Sequence, residues 1–216
     1  MAVPDLLHAV SRLEPADRVL AVTSERLDLT ARAFARIIDA KSPFTYRPSE
    51  RVAETATAMA EHMALPTYAV RDQGRAGLLH DIGKLAVSNL ILDKPGPLTH
   101  AGYAQVKQHP RLTYDTLVRL APFRGIAEVA ASHHEKLDGS GYHRGVTAQD
   151  LSLPSRILAV ADVFDALSQD RPYRPAMLAA LTRTGLLNNM RYEERRKRIL
   201  LETRGSSGGI GEADVR

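Results

Sequence analysis

Apolar residues recur at helical spacing along most of this chain, and no region reads as strand-rich. Leu27, Ala31, Phe34 and Ile38 line one face of a helix predicted over 24–40, with Ser24 as its cap. Val52, Ala56, Met59 and Met63 mark a second helix ending near Met63, capped by Thr45 or Ser49. If Thr45 is the cap, Pro48 falls in the first turn, where a missing N–H costs little. A third helix is predicted over 68–82, with Val70, Gly74, Leu78 and Asp81 along one side. After an apolar stretch at 85–92 and the turn Lys94-Pro95-Gly96-Pro97, Thr99 caps a helix that carries Val106. Pro110 biases His109 away from the α region, so His109 is predicted to stand at that helix's exit. Helical segments follow at 112–120, with Leu112, Leu117 and Leu120, and at 126–134, ending in His133-His134. Pro154-Ser155 opens a long helix whose stripe is Ile157, Val160, Ala161 and Phe164, with Asp162 and Asp165 beside it. Residues 177–187 and 191–201 continue helically, and Gly205-Ser206-Ser207-Gly208-Gly209 reads as a flexible end. The pattern predicts an all-α chain in three parts: an extension over 1–40, a main domain over 41–187, and a charged helix and tail over 188–216.

Composition narrows the chemistry. The 216 residues are 44% hydrophobic and 25% charged, as in an ordinary globular domain with room for a substantial core. There is no cysteine, which excludes disulfides, thiolate zinc sites and a cysteine nucleophile. No apolar run is long enough to span a bilayer, and the N-terminus lacks a signal-peptide pattern. The expected location is cytoplasmic, without membrane partners. The net charge is +4, of which residues 191–204 supply six basic side chains against three acidic ones. The remainder is nearly balanced, so direct nucleic-acid binding is not expected.

The stretch Leu78-Leu79-His80-Asp81-Ile82-Gly83-Lys84 places an imidazole, a carboxylate and an ammonium inside an apolar segment. Gly83 suggests a bend or helix end just after them. His109, His133, His134 and Asp162 add donors from other helices or helix ends. Imidazole and carboxylate without sulfur suit Fe, Mn, Ni, Co or Zn. Six such donors exceed one tetrahedral site and suit two divalent ions bridged by a carboxylate. A pair of ions about 3.5–4 Å apart is a standard arrangement for cleaving a phosphodiester. Taken one by one, each residue has a plainer reading, as a hydrogen-bonded helix histidine or a local cap. His62 reads as satisfied and partly buried, and His8 and His100 as surface. The loop Lys136 to Gly145 holds three glycines, so its backbone can approach a ligand closely.

Together, Leu79 to Lys84, His109-Pro110, His133-His134-Glu135-x-x-Asp138-Gly139-x-Gly141-Tyr142, Arg156 to Leu167 and Arg171-Pro172-Tyr173-Arg174 resemble the HD-GYP family of metal-dependent phosphohydrolases. The likeness covers residues 40–180 or so, in order and spacing. It implies an HD-type helical bundle with a central metal site, and hydrolysis of cyclic di-GMP to pGpG or GMP. It implies that Asp81 bridges two ions, that His80 and Asp162 complete one site, and that His109, His133 and His134 complete the other. It gives Lys84 a contact to the scissile phosphate, with Asp81 and Lys84 as the catalytic pair. Gly141 and Tyr142 would shape the pocket edge, and Arg144, Arg171 and Arg174 are candidate outer contacts to an anionic ligand.

Three departures qualify this expectation. Pro48 stands where the family has a metal-binding histidine, so the His80/Asp81/Asp162 site is expected to be the weaker of the two. The family's upstream glutamate is also absent among Ser42, Pro43, Phe44 and Thr45, so a trinuclear centre is not expected. His143 stands where the family's name-giving proline belongs. Four functions follow: a weakened cyclic-dinucleotide phosphodiesterase, a binding module that keeps the pocket without turnover, a hydrolase of another phosphoester, or a scaffold joined to a fused or partner regulatory domain. A helical domain of this kind can also form a homodimer.

Overall fold

The computed structural model describes residues 22–41 and 49–168, and it is all-α. Its helices are α1 (Ser24–Ala40), α2 (Ser49–His62), α3 (Thr67–Leu79), α4 (Asn89–Leu92), α5 (His100–Val106), α6 (His109–Leu117), α7 (Ala127–Ala131) and α8 (Leu153–Ser168). Two 3-10 turns, Ile82–Ala86 and Ala121–Ile126, join them. Pairing between strands is limited, among the described residues, to one isolated bridge, Asp138 with Thr147. None of the helices is long and apolar enough to cross a membrane. The expectations for Pro48, Arg171, Arg174, the charged segment 191–204 and the tail lie outside the described residues.

The core forms where the apolar stripes of α1, α2, α3 and α8 meet. Ala31, Ala35, Val52, Ala56, Ala60, Ala76, Leu79, Leu158 and Ala161 are all buried there. Small side chains dominate the α2–α3 contact because the two backbones approach closely. A Cβ built on Gly77 would lie 2.6 Å from Ala53 Cα. Ion pairs lock the outer helices to this core. Arg51 on α2 holds the buried Asp165 of α8 at 2.9 Å, and Arg75 on α3 reaches Asp28 and Ser24 of α1.

Predicted and observed elements differ in places. Thr23, not Ser24, caps α1, through a hydrogen bond from the Arg26 amide to its hydroxyl. His109 does not stand at a helix exit: α5 ends at Val106, and His109 opens α6 with Pro110 in its first turn. That position tolerates proline, whose missing N–H has no partner there anyway. On α6 the buried face is His109, Pro110, Thr113 and Leu117, whereas Leu120 is exposed. His62 is exposed rather than partly buried.

Candidate metal centre

α3 ends at Leu79, and the chain turns sharply through His80 and Asp81 into the first 3-10 turn. Gly83 is needed at this bend because of space, since its φ is not positive. A Cβ there would fall 2.0 Å from the His109 carbonyl oxygen. The Gly83 amide donates to Thr113 Oγ1 at 3.1 Å, and the same hydroxyl donates to the His80 carbonyl at 2.9 Å. One threonine on α6 therefore clamps the turn bearing His80 and Asp81 against the helix bearing His109. On the far side, Lys41 Nζ donates to the Leu85 carbonyl at 2.6 Å and ties the turn to the end of α1. The sequence reading missed Thr113. Its signal was its place four residues after His109, on the same helix face.

Three imidazoles are oriented by one repeated device. The Nδ1 atoms of His80, His109 and His133 lie 2.7, 2.8 and 2.7 Å from the carbonyl oxygens of Gly77, Val106 and Ala130, each three residues earlier. A carbonyl only accepts, so each Nδ1 carries a hydrogen and each Nε2 presents a lone pair inward when the ring is neutral. Those lone pairs meet. His109 Nε2 lies 3.0 Å from His133 Nε2, and His133 packs edge-on against His80. Two lone pairs at that separation repel unless a proton or a cation stands between them.

The Asp81 carboxylate straddles this group. Its Oδ1 is 3.2 Å from His109 Nε2 and 3.7 Å from His133 Nε2. Its Oδ2 is 3.3 Å from His80 Nε2 and 2.5 Å from Lys84 Nζ. Asp162 joins from α8, with Oδ1 3.9 Å from His80 Nε2. His80, Asp81, His109, His133 and Asp162 are buried, and His134 is half-buried. Two tight sets of donors emerge, His109 with His133 and His134, and His80 with Asp81 and His133. Within each, the ligand atoms lie within 4.8 Å of one another. All six sequence-predicted donors thus converge from α3, α6, α7 and α8 or their ends.

The electrostatics match a cation site. Burial by itself would raise the Asp81 carboxyl, but the Lys84 ammonium, then His80, and the close approach of the His109 and His80 ring nitrogens hold it well below the usual carboxylate range. Burial, followed by the neighbouring imidazoles, pushes His133 well below the usual imidazole range, and burial pushes His134 down to about 4. His80 behaves differently: burial works against its charge, yet the Asp81 carboxylate 3.3 Å away and Asp162 raise it. Two buried atoms, His80 Nε2 and Asp81 Oδ1, lack any hydrogen-bond partner. Buried polar atoms are rarely left so, and oxygen and imidazole nitrogen facing one another fit divalent metal. The donor set therefore fits the group.

A loop closes one side. The Tyr142 ring stacks on His134, with centroids 4.7 Å apart and 29° between planes. A Cβ on Gly141 would lie 2.5 Å from Glu135 Cα, so the loop presses directly onto the segment after the double histidine. Glu135 is buried and accepts the Arg144 amide at 2.7 Å. The Arg144 side chain extends to Glu128, at 2.7 Å, on the surface.

An HD-domain family model matches residues 32–195. The chain is 47% identical, over 173 residues, to a 3'3'-cGAMP-specific phosphodiesterase of Vibrio cholerae, covering 80% of this chain and 38% of that protein. It is 41% identical, over 138 residues, to a cyclic di-GMP phosphodiesterase of Pseudomonas aeruginosa, covering 63% of this chain and 33% of that protein. A crystal structure of a cyclic GMP-AMP-specific phosphodiesterase from V. cholerae aligns with a TM-score of 0.51 at 39% identity, covering 87% of this chain and 42% of that one. The chain thus spans well under half the length of these relatives.

Proposed function

The chain belongs to the HD-domain family, and from that premise we propose that it is a metal-dependent phosphodiesterase acting on cyclic dinucleotides. The observation that carries the reading is the convergence of three Nε2 atoms, each aimed by a carbonyl on its own Nδ1, upon the straddling carboxylate of Asp81. His80, Asp81 and Asp162 would hold one ion, and Asp81 with His109, His133 and His134 would hold the other. Two divalent ions there, with Fe and Mn the first candidates, would supply Lewis-acid activation of water and of a phosphoryl oxygen. The protein's own groups do the rest. Carbonyl-bound Nδ1–H groups hold the imidazoles in the ligating tautomer. Thr113 keeps the His80-Asp81 turn in register with His109. Lys84, at the edge of the buried cluster, holds Asp81 ionised and offers an ammonium to an incoming phosphate. Gly141 and Tyr142 form the pocket edge. Arg144 is an outer anion contact, and Arg171 and Arg174 are further ones.

Relatives act on cyclic di-GMP or on 3'3'-cGAMP by their names, and both are substrates to test here. Pro48, at the position of a family ligand, favours a second reading, a module that binds the nucleotide without turning it over. One experiment separates the two. The purified chain is incubated anaerobically with each cyclic dinucleotide and Mn²⁺ or Fe²⁺, and the nucleotides are separated by chromatography. A metal-dependent linear product that disappears in Asp81→Ala supports the enzyme. Binding with intact nucleotide supports the module. Neither binding nor product removes both.

A further inference from the structure

Four imidazoles reach the metal centre, and three of them share one means of orientation. His80, His109 and His133 each hold Nδ1 against a main-chain carbonyl three residues earlier. His134 does not. Among the described residues, neither of its ring nitrogens has a hydrogen-bond partner. It is half-buried where the other three are buried. Yet its ligand atom belongs to one of the two tight donor sets, with those of His109 and His133. Something other than the main chain must keep this ring from turning.

Ring contacts take that part. His134 packs edge-on against His109, with centroids 5.1 Å apart and planes at 87°, and lies 4.2 Å from the His133 ring. Tyr142 stacks on it at 4.7 Å and 29°. His109 and His133 are fixed by their own carbonyls, so Tyr142 is the neighbour whose placement decides how firmly His134 is held. We infer that Tyr142 and Glu135 are positioning residues for His134: the stacked ring does for this imidazole what a carbonyl does for the other three, and Glu135 keeps the ring in place. The inference rests on the metal reading above and names the residues that complete its second donor set.

The loop is pinned on both sides of Tyr142, each time to the segment that carries His134. Before it, a Cβ on Gly141 would fall 2.5 Å from Glu135 Cα and 2.8 Å from the His134 carbonyl oxygen. After it, the Arg144 amide donates to Oε1 of the buried Glu135 at 2.7 Å. Between the two pins His143 adopts φ +112, a conformation that side-chain-bearing residues rarely take. Such a conformation persists where its surroundings over-determine it. The two pins supply that constraint, and together they deliver the Tyr142 ring onto His134. Tyr142 also lines a cavity of about 260 Å³, with Ala104, Lys107, Gln108, Arg111 and His143. The ring that steadies the fourth imidazole therefore belongs to the rim of the pocket, whereas the other three are steadied by the main chain.

The test is isothermal titration of Mn²⁺ into the purified, metal-free chain, with thermal midpoints measured on the same samples. Tyr142→Leu is expected to weaken Mn²⁺ binding by about 10–100-fold while the metal-free midpoint stays near that of wild type. Tyr142→Phe keeps the ring and retains the affinity. Glu135→Ala weakens binding as Tyr142→Leu does, and Glu135→Gln, whose amide oxygen still accepts the Arg144 amide, restores it. In a His134→Ala background, Tyr142→Leu has no further effect on Mn²⁺ affinity, because the ring it positions is gone. Additive losses in that background, or wild-type affinity in both Tyr142→Leu and Glu135→Ala, overturn the positioning role and leave the metal centre standing. A wild-type chain that binds no Mn²⁺ at millimolar concentration removes the metal reading, and this inference with it.

Discussion

The metal donors and the loop beside them are neighbours held by opposite means. His80, His109 and His133 are aimed by main-chain carbonyls three residues earlier, of Gly77 in α3, of Val106 at the end of α5 and of Ala130 in α7. The loop over 136–150 adds side-chain fastenings to main-chain bonds such as that from the Ala148 amide to the Leu137 carbonyl: Glu135 on the Arg144 amide, Asp138 on the Ser140 amide, Asp150 on Thr147 and Glu128 on Arg144. Carbonyls at a helix end move only if the helix moves, so the donors form a rigid frame. Glu135 is buried, but Glu128, Asp138 and Asp150 are exposed and can be exchanged one at a time, so much of the loop can be retuned without disturbing the frame. Rigid ligation beside an adjustable rim is the arrangement in which one chemistry serves several substrates.

That contrast can be broken most severely at Asp81. Asp81→Ala removes the carboxylate whose two oxygens lie against His109 and His133 on one side and His80 on the other, and is expected to lower turnover by at least about a thousandfold, with loss of bound metal. Metal analysis of the purified variant against wild type checks this, and retained metal with retained turnover would sink the bridging role. Next in size is Gly83→Ala. The added methyl meets the His109 carbonyl, so the turn and α6 must part. We expect a loss of about 1–3 kcal/mol in urea unfolding, with weaker metal binding. A variant of unchanged stability would show that the bend is looser than described.

Thr113→Val keeps the shape and removes the clamp. It leaves the Gly83 amide and the His80 carbonyl unpaired, at a cost of about 1–3 kcal/mol, and should weaken metal binding about 10–100-fold. Isothermal titration with Mn²⁺ reads the second effect, and wild-type affinity would argue that the frame does not depend on this threonine. The smallest effect is expected at the rim. Arg144→Ala deletes an exposed pair with Glu128, worth less than about 1 kcal/mol. Its thermal midpoint should stay close to wild type, while the KM for a cyclic dinucleotide rises modestly. A large loss of stability there would mean that the loop is as rigid as the frame.

Much of the frame was legible in the residues. The helices over 24–40 and from Leu153 onward follow from apolar periodicity, because their buried faces are continuous. Gly83 pointed to a bend, though the reason is the approach of the His109 carbonyl rather than a positive φ. His109 was harder. Pro110 biases its neighbour away from helix when both lie inside one, but the same proline fits the first turn of a new helix, and local sequence does not distinguish the two. Thr113 carried no signal as a single residue, since threonine on a helix face is commonplace. The loop was recognised by its glycines, yet its fastening by Glu135 depends on a buried carboxylate whose partner is nine residues away.

By itself, the sequence determined the all-α class and the longer helices of the core, the inventory of six nitrogen and oxygen donors, and the exclusion of sulfur chemistry. These depend on residue type and on spacing within one or two turns, where geometry is local. Only the tertiary structure decided that the donors meet, that their Nε2 atoms rather than Nδ1 point inward, and that Lys107, Gln108 and Arg111 share a cavity with Tyr142 and His143. Those facts depend on how separate helices cross, and on which polar groups burial leaves without water. Such pairings are set by packing across the whole core and are not written in any one segment.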